Sequence, residues 1–594
     1  MQFPPGRKDR DGVDDAALKP VAIARVADGG RRSLMRSAVL FAMFASGGLS
    51  LSACGGGGDG GGGASGADGG GGGGGRPPEG SGTVFKHGVA SGDPLADRVI
   101  LWTRVTPAAP GNLSVDWEVA SDAGFGVIVA RGSALTGPDR DYTVKVDASV
   151  LQPGSVYFYR FALGGDRSPA GRTKTLPVGG VAQARLAVVS CANFPAGYFN
   201  VYAEIAARTD LDLVLHLGDY IYEFGPLGYA SQLAIALDRV SSPDREILTL
   251  QDYRQRHAQY RTDEDLRAMH ASLPMIAVWD DHDLADNAWS GGAGNHDEAT
   301  EGAFAARRAA AVQAYHEWLP TRLPDPANPL RIYRSFDIGT LASLHMLDTR
   351  LIGRDKQLDL DEYLAGEAAS PTRQLLGAAQ VDWLAGRMAA SAATWQVLGQ
   401  QVLMTRMALP LSVASAITPE TLGAYLLALS TPEVARSDSQ KALIAQPKAP
   451  YNLDAWDGYP AARETVLGLA RDQGKNLISL AGDTHNAWAG DLTDMAGRRV
   501  GVEFAVPSVS SPGFERVLPL IANDVLSDGF RRMVDDLRYA ETSKRGYVVL
   551  TLTPGEARSD YVEVSTILSR DHSARVARTL RVLPGAGNLQ VLGG

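Results

Sequence analysis

Five times between residues 185 and 486 the chain runs apolar for several residues, as a strand entering a core does, and then stops abruptly on polar or metal-capable groups. LAVVS ends in Cys191-Ala192-Asn193, and LDLVLHLG ends in Asp219 with Tyr222 three residues on. PMIAVW ends in Asp280-Asp281-His282-Asp283, LHML in Asp348-Thr349-Arg350, and ISLAG in Asp483-Thr484-His485-Asn486. Helical patterns near 199–208, 250–269, 303–318, 375–390 and 461–472 separate these runs, so the expected fold class is α/β, in layers. In such sheets the strand ends collect at one edge, where ligands bind. A buried carboxylate at a strand tip costs several kcal/mol, on the order of the desolvation penalty, unless something positive meets it. Taken singly, Asp after Gly is an ordinary turn and His282 an ordinary core histidine. Together the five endings point to a site.

The residue types narrow the chemistry. Asp219, alone at its strand tip, can bridge two cations, and Tyr222 can turn back toward the same place. A carboxylate, a phenolate and a thiolate make a strongly negative shell that suits a highly charged iron, whereas neighbouring carboxylates, amide oxygens and water suit Ca²⁺ or Mg²⁺. Zinc fits less well, because no Cys or His pair stands at zinc-finger spacing. A serine nucleophile is not expected, since no G-x-S-x-G elbow occurs.

At 594 residues the chain exceeds one ordinary core, and its net charge of −10 argues against a nucleic-acid groove. The expected partner is therefore small. Arg31, Arg32 and Arg36 precede a short apolar run from Ala38 to Leu51, an order that resembles a twin-arginine export signal and its export machinery. The ending Leu51-Ser52-Ala53-Cys54 resembles a lipobox, which implies a lipid anchor on Cys54 and a location in the periplasm or at the cell surface. From Gly55 to Gly75 sixteen of twenty-one residues are Gly, so 55–82 is expected to be a flexible tether. Cys54 and Cys191 are the chain's two cysteines, and the lipobox takes the first. Cys191 is then a lone thiol that needs burial or a metal.

Alternating runs such as VILWTRV, VDWEVA, YTVKVDA and VYFYRFAL place an antiparallel β-sandwich, similar to a fibronectin type III module, at 83–178. His87 and Asp93, at its start, read as a polar turn rather than a ligand site. Residues 184–566 form the α/β domain, in which 404–450 is an apolar insertion placed to cover one end of the sheet, and 567–594 read as a tail.

VVSCANF, HLGDYIYEFG, AVWDDHDLADNAW, MLDTR, AWDGYPAAR and SLAGDTHNAW, in this order, resemble the PhoD family of alkaline phosphatases. HGVASGDPLADRVILWTRV resembles that family's N-terminal domain. The resemblance runs from about Thr83 to Val564 and implies a metallophosphoesterase-type layered α/β sandwich. It implies hydrolysis of phosphate monoesters and diesters at a centre of Fe³⁺ and Ca²⁺, by attack of a metal-activated hydroxide or oxo group. Carried over, Cys191, Asp219, Tyr222 and His485 correspond to iron ligands, while Asp219, Asp483 and the DDHD segment correspond to calcium ligands. How Asp280, Asp281 and Asn486 divide between ligation and support stays open. DDH stands where ordinary metallophosphatases have GNH. Arg350 or a nearby His is expected to steady charge on the phosphate, and His282 to protonate the leaving oxygen. A phosphodiesterase or phospholipase of the same fold is the nearest alternative, and a tethered binding protein with a degenerate site the more distant one. The enzyme is expected to act as a monomer.

Overall fold

A computed structural model describes residues 83–593. The export signal, Cys54 and the glycine-rich run lie outside the described residues, as do the expectations attached to them. Two sheets carry the α/β part. The first has nine strands in the order Ala574–Val582, Ala557–Val564, Gly546–Leu552, Ala184–Val189, Leu213–His216, Pro274–Ala277, Val89–Gly92, Arg98–Arg104 and Thr143–Ser149. The second has seven, in the order Arg334–Ile338, Ala342–Met346, Trp395–Gly399, Asn476–Ala481, Arg499–Ala505, Ala487–Thr493 and Leu537–Glu541.

Side-chain alternation stacks the sheets. On Asn476–Ala481, Ile478 and Leu480 enter the core that also holds Val188, Leu215 and Val548 of the first sheet. Leu477 and Ala481 point the other way, into a second core with Leu384, Leu467 and Phe530. A strand's period of two thus buries one face against a sheet and the other against helices. The helices on that outer face include Ala378–Ala390, Pro460–Asp472 and Asn523–Met533.

The 83–178 segment is antiparallel β, with Ile128–Thr136, Leu113–Ala120, Val156–Leu163, Asp166–Arg167 and Gly171–Lys174 in a sheet of their own. Three more of its strands extend the nine-stranded sheet, where Val89–Gly92 pairs in parallel with Pro274–Ala277. At that joint the wholly buried Asp93 takes a bidentate ion pair from Arg334, at 2.7 and 2.8 Å. His87 packs edge-on against Trp318, and burial with the cations Arg104 and Arg261 pushes its pKa down to about 3. Both residues thus serve the joint rather than a ligand.

The C-terminal segment departs from the expected tail. Ala574–Val582 pairs along its length with Ala557–Val564 as an edge strand, and Leu580 and Val582 enter the main core. Its alternation is masked in sequence by four arginines in twelve residues, at 570, 575, 578 and 581, of which Arg570, Arg575 and Arg581 pair with carboxylates. The 404–450 insertion is docked rather than draped: Leu409, Val413, Leu422 and Tyr425 join the second core, and Lys448 donates to the Met533 carbonyl at 2.7 Å.

Candidate metal centre

Three adjacent parallel strands of the first sheet, Ala184–Val189, Leu213–His216 and Pro274–Ala277, release their chains at one edge. They deliver Cys191, Asp219 and Asp280–Asp283 there. In the second sheet the parallel strands Ala342–Met346 and Asn476–Ala481 flank Trp395–Gly399 and deliver Arg350, Asp483 and His485. Two glycines let these loops close on one another. A Cβ on Gly218 would stand 2.3 Å from Asp280 Cβ, and one on Gly482 would stand 2.8 Å from Ser190 Cβ. The Gly before each Asp in HLGD and LAGD is therefore a clearance requirement. Backbone bonds then lock the loops: Cys191 N–H donates to Gly218 O at 3.1 Å and Ala192 N–H to Asp219 O at 2.9 Å.

Cys191, Asp219, Asp483 and His485 all sit in the left-handed region, with φ of 61°, 54°, 61° and 59°. A non-glycine residue there carries strain on the order of 1–3 kcal/mol, and such strain concentrates where function demands a geometry.

The donors form three overlapping clusters, in each of which the ligand atoms lie within 4.8 Å of one another: Cys191, Asp219 and His485; Asp219, Asp281 and His282; and Asp280, Asp281 and Asp483. Tyr222 joins the first, its hydroxyl donating to Asp219 Oδ2 at 2.8 Å and lying 3.0 Å from His485 Nε2. Burial, then the nearby Asp219 carboxylate, holds both the Cys191 thiol and the Tyr222 phenol well above their ordinary pKa. Burial also raises Asp280 strongly and Asp483 to about 7, against the lowering pull of Arg350. Asp280 Oδ2 is buried with no hydrogen-bond partner. A nest of acids that burial forces toward their neutral forms is what a bound cation would relieve, so the donor set fits metal ions. One side carries sulfur, phenol and imidazole, and the other carries carboxylates.

Arg350 lies among those carboxylates, wholly buried. Its Nε donates to Asp280 at 2.5 Å, Nη1 to Asp454 at 2.6 Å and Nη2 to Asp483 at 3.0 Å, with Asp281 3.4 Å away. All three nitrogens of this guanidinium are thus engaged by carboxylates of the cluster. Asn486 is likewise spent on its loop: its amide donates to Thr484 O and accepts from Phe514 N–H. His282 stacks on the Tyr222 ring with centroids 4.4 Å apart, and its Nδ1 lies 2.8 Å from Glu223. Burial opposes its charge, but Glu223, Asp281 and Asp219 overcome that and hold its pKa well above the ordinary value.

Sequence reasoning passed over four residues. Glu223, fully buried, orients His282 and also accepts from Asp286 N–H and Asn295. Asp454 clamps Arg350 and Arg354. Ser511 donates to Tyr222 at 2.6 Å, and the Tyr229 hydroxyl lies 3.1 Å from His485 Nδ1. Only Glu223 left a signal, a carboxylate inside the otherwise apolar-aromatic YIYEFG.

Two stacked mixed sheets, with a cation-fitting cluster at the carboxyl ends of their parallel strands, make a metallophosphoesterase-type α/β sandwich. The profile of the PhoD-like phosphatase family matches residues 186–561, and that of the PhoD-like phosphatase N-terminal domain matches 75–177. Alkaline phosphatase D of Bacillus subtilis (strain 168) is 37% identical over 503 residues, which cover 82% of this chain and 78% of that one. A solved structure of PhoD superposes with a TM-score of 0.72 at 34% identity, covering 87% of this chain and 93% of the other. The chain belongs to the PhoD-like phosphatase family, a membership that supports phosphatase activity. Among the described residues no helix is long and apolar enough to cross a membrane.

Proposed function

We propose that this protein hydrolyses phosphate monoesters and diesters at an iron and calcium centre, and that it does so as an exported, lipid-anchored enzyme. The observation that carries the reading is the sharing of Asp219 between a cluster holding Cys191 and His485 and one holding Asp281 and His282. Cys191, Asp219, Tyr222 and His485 would hold iron. Asp219, Asp280, Asp281 and Asp483 would hold calcium, a division that the oxygen-only character of the second set supports. Bound there, the cations supply Lewis acidity, neutralising the ester oxygens and making water acidic enough to attack near neutral pH.

The chain's own groups do the rest. Arg350 keeps four mutually repelling carboxylates in place by balancing their charge. Tyr222 and Tyr229 brace His485 on its two ring nitrogens. Glu223 fixes His282 through Nδ1, which leaves Nε2 as the nitrogen that can hand a proton to the leaving oxygen. Export and the anchor rest on Arg31, Arg32 and the Leu51-Ser52-Ala53-Cys54 ending.

The test is turnover of a monoester and of a bis-ester with the same leaving group, before and after treatment with a calcium-selective chelator. Both rates should fall and return with added Ca²⁺. Full activity in protein shown by elemental analysis to hold no metal would remove the reading, and a rate confined to the bis-ester would narrow it to a phosphodiesterase.

A further inference from the structure

Tyr229 is braced to the candidate centre through His485 and to Pro512 O at 3.0 Å, so two loops meet at this ring: residues 226–240 and residues 512–521. The Arg516 guanidinium lies 5.7 Å over the same ring and ties the second loop to the first. The first loop is pinned from beneath. Ala230 and Ala234 are buried, and Arg239 pairs with Asp263 at 2.7 Å while stacking on Phe194.

A loop held this firmly would be expected to turn its apolar side chains inward. It does the opposite. Leu227 is 99% exposed and Ile235 87%, and on the neighbouring loop Leu520 is 80% exposed. Leu233 and Val240 on the first loop and Val517 on the second are exposed as well. Scattered single apolar residues are ordinary on a protein surface, but six gathered on two loops that meet beside one site are a patch.

We infer that this apolar collar rests on the surface of a lipid bilayer. Protruding Leu and Ile tips on separate loops suit insertion among acyl chains. The same chain puts only 28 residues between the Leu51-Ser52-Ala53-Cys54 ending and Thr83. Fully extended, that stretch reaches at most about 100 Å, so an enzyme attached through Cys54 never leaves the neighbourhood of lipid. The collar then turns the loops that brace His485 toward the membrane, where phosphate esters with apolar tails present their headgroups. The inference shares with the proposed function only the reading of Cys54; the exposed side chains stand apart from any metal.

The experiment uses full-length protein carrying Cys54→Ala, which has no site for the lipid, and sedimentation with phosphatidylcholine vesicles at low and high salt. Binding is expected at both, because apolar insertion is not screened. Leu227→Ser, Ile235→Ser and Leu520→Ser together should lower the vesicle-bound fraction about tenfold or more, while turnover of a soluble ester stays within about twofold. Leu227→Ser alone, at an almost wholly exposed position, should give a smaller loss in the same direction and guards against misfolding of the triple variant. No sedimentation of the Cys54→Ala protein, or equal sedimentation of the triple variant, overturns the inference. So does a Cys54→Ala dimer that the triple variant converts to monomer without any vesicle binding, since a second copy would then be the occupant. Soluble-ester turnover by the parent reads the phosphatase assignment separately.

Discussion

The two sides of the candidate centre meet at Asp219 and are built on different principles. On the Cys191 side, neutral groups are pressed together: a thiol and a phenol whose pKa values burial drives up, with an imidazole braced by two tyrosines. On the Asp483 side, carboxyl groups that burial pushes toward their neutral forms are gathered around one buried guanidinium, which pulls the other way. The Cys191 thiol and the Tyr222 phenol hold their protons until a cation ionises them. The second keeps a positive partner in its midst, because carboxylates brought together out of water repel one another and lose their hydration, and Arg350 opposes that loss. The comparison explains why the protein invests a buried Arg on one side and a layer of hydroxyl groups, from Tyr222, Tyr229 and Ser511, on the other.

The harshest way to break the comparison is to remove what the two sides share. Asp219→Ala should abolish turnover by about a thousandfold or more, beyond the 10–100-fold that supporting residues usually cost. Elemental analysis should show both metals depleted. Loss of one metal alone would mean that Asp219 serves a single side.

Cys191→Ser should separate the sides. Serine is a poor substitute for a thiolate, so iron, visible charge-transfer colour and turnover should fall together while calcium is retained. Circular dichroism should show the fold unchanged, since the removed contact is worth on the order of 1–2 kcal/mol. A folded variant that keeps its iron, colour and rate would reduce Cys191 to packing, and its left-handed backbone would then lack a functional reason.

The smallest effect belongs to a residue outside both sides. Glu223→Gln keeps the shape but removes the charge that sustains protonated His282, so turnover should drop about 10–100-fold. Burial opposes the imidazolium, and Glu223 is the largest influence favouring it, so the His282 pKa should fall in the variant. The alkaline limb of the rate profile should then move to lower pH. A histidine raised in the folded state contributes stability that is complete below its unfolded pKa of about 6.5 and is lost as pH rises through its folded pKa. The difference in melting temperature between parent and variant should therefore be largest at low pH and shrink as pH rises. A profile that does not move would show that His282 takes no part as an acid.

Much of the site was legible because strand ends are local features. An apolar run that stops on Asp or Cys records both the burial of the strand and the chemistry at its tip, and the order of five such endings sufficed to bring Cys191, Asp219, Asp483 and His485 to one edge. Legibility failed where a residue's role depends on its neighbours in space. Arg350 sits at a strand end like the others, yet the structure encloses it in carboxylates. Asp454 lies in a connecting segment with no pattern to mark it.

By itself, then, the sequence determined the alternation of strand and helix, the antiparallel character of the N-terminal segment, and the set of side chains available at the strand tips. These follow from burial periodicity and turn chemistry, which act over a few residues. Only the tertiary structure decided that Val89–Gly92 would extend the first sheet beside Pro274–Ala277, that Ala574–Val582 would close its far edge, and that Tyr222 would meet His485 across 263 residues of chain. Those pairings arise from stacking two sheets over one core. The free energy of that stacking is spread over many side chains whose partners lie far off in sequence, so no local window of residues records it.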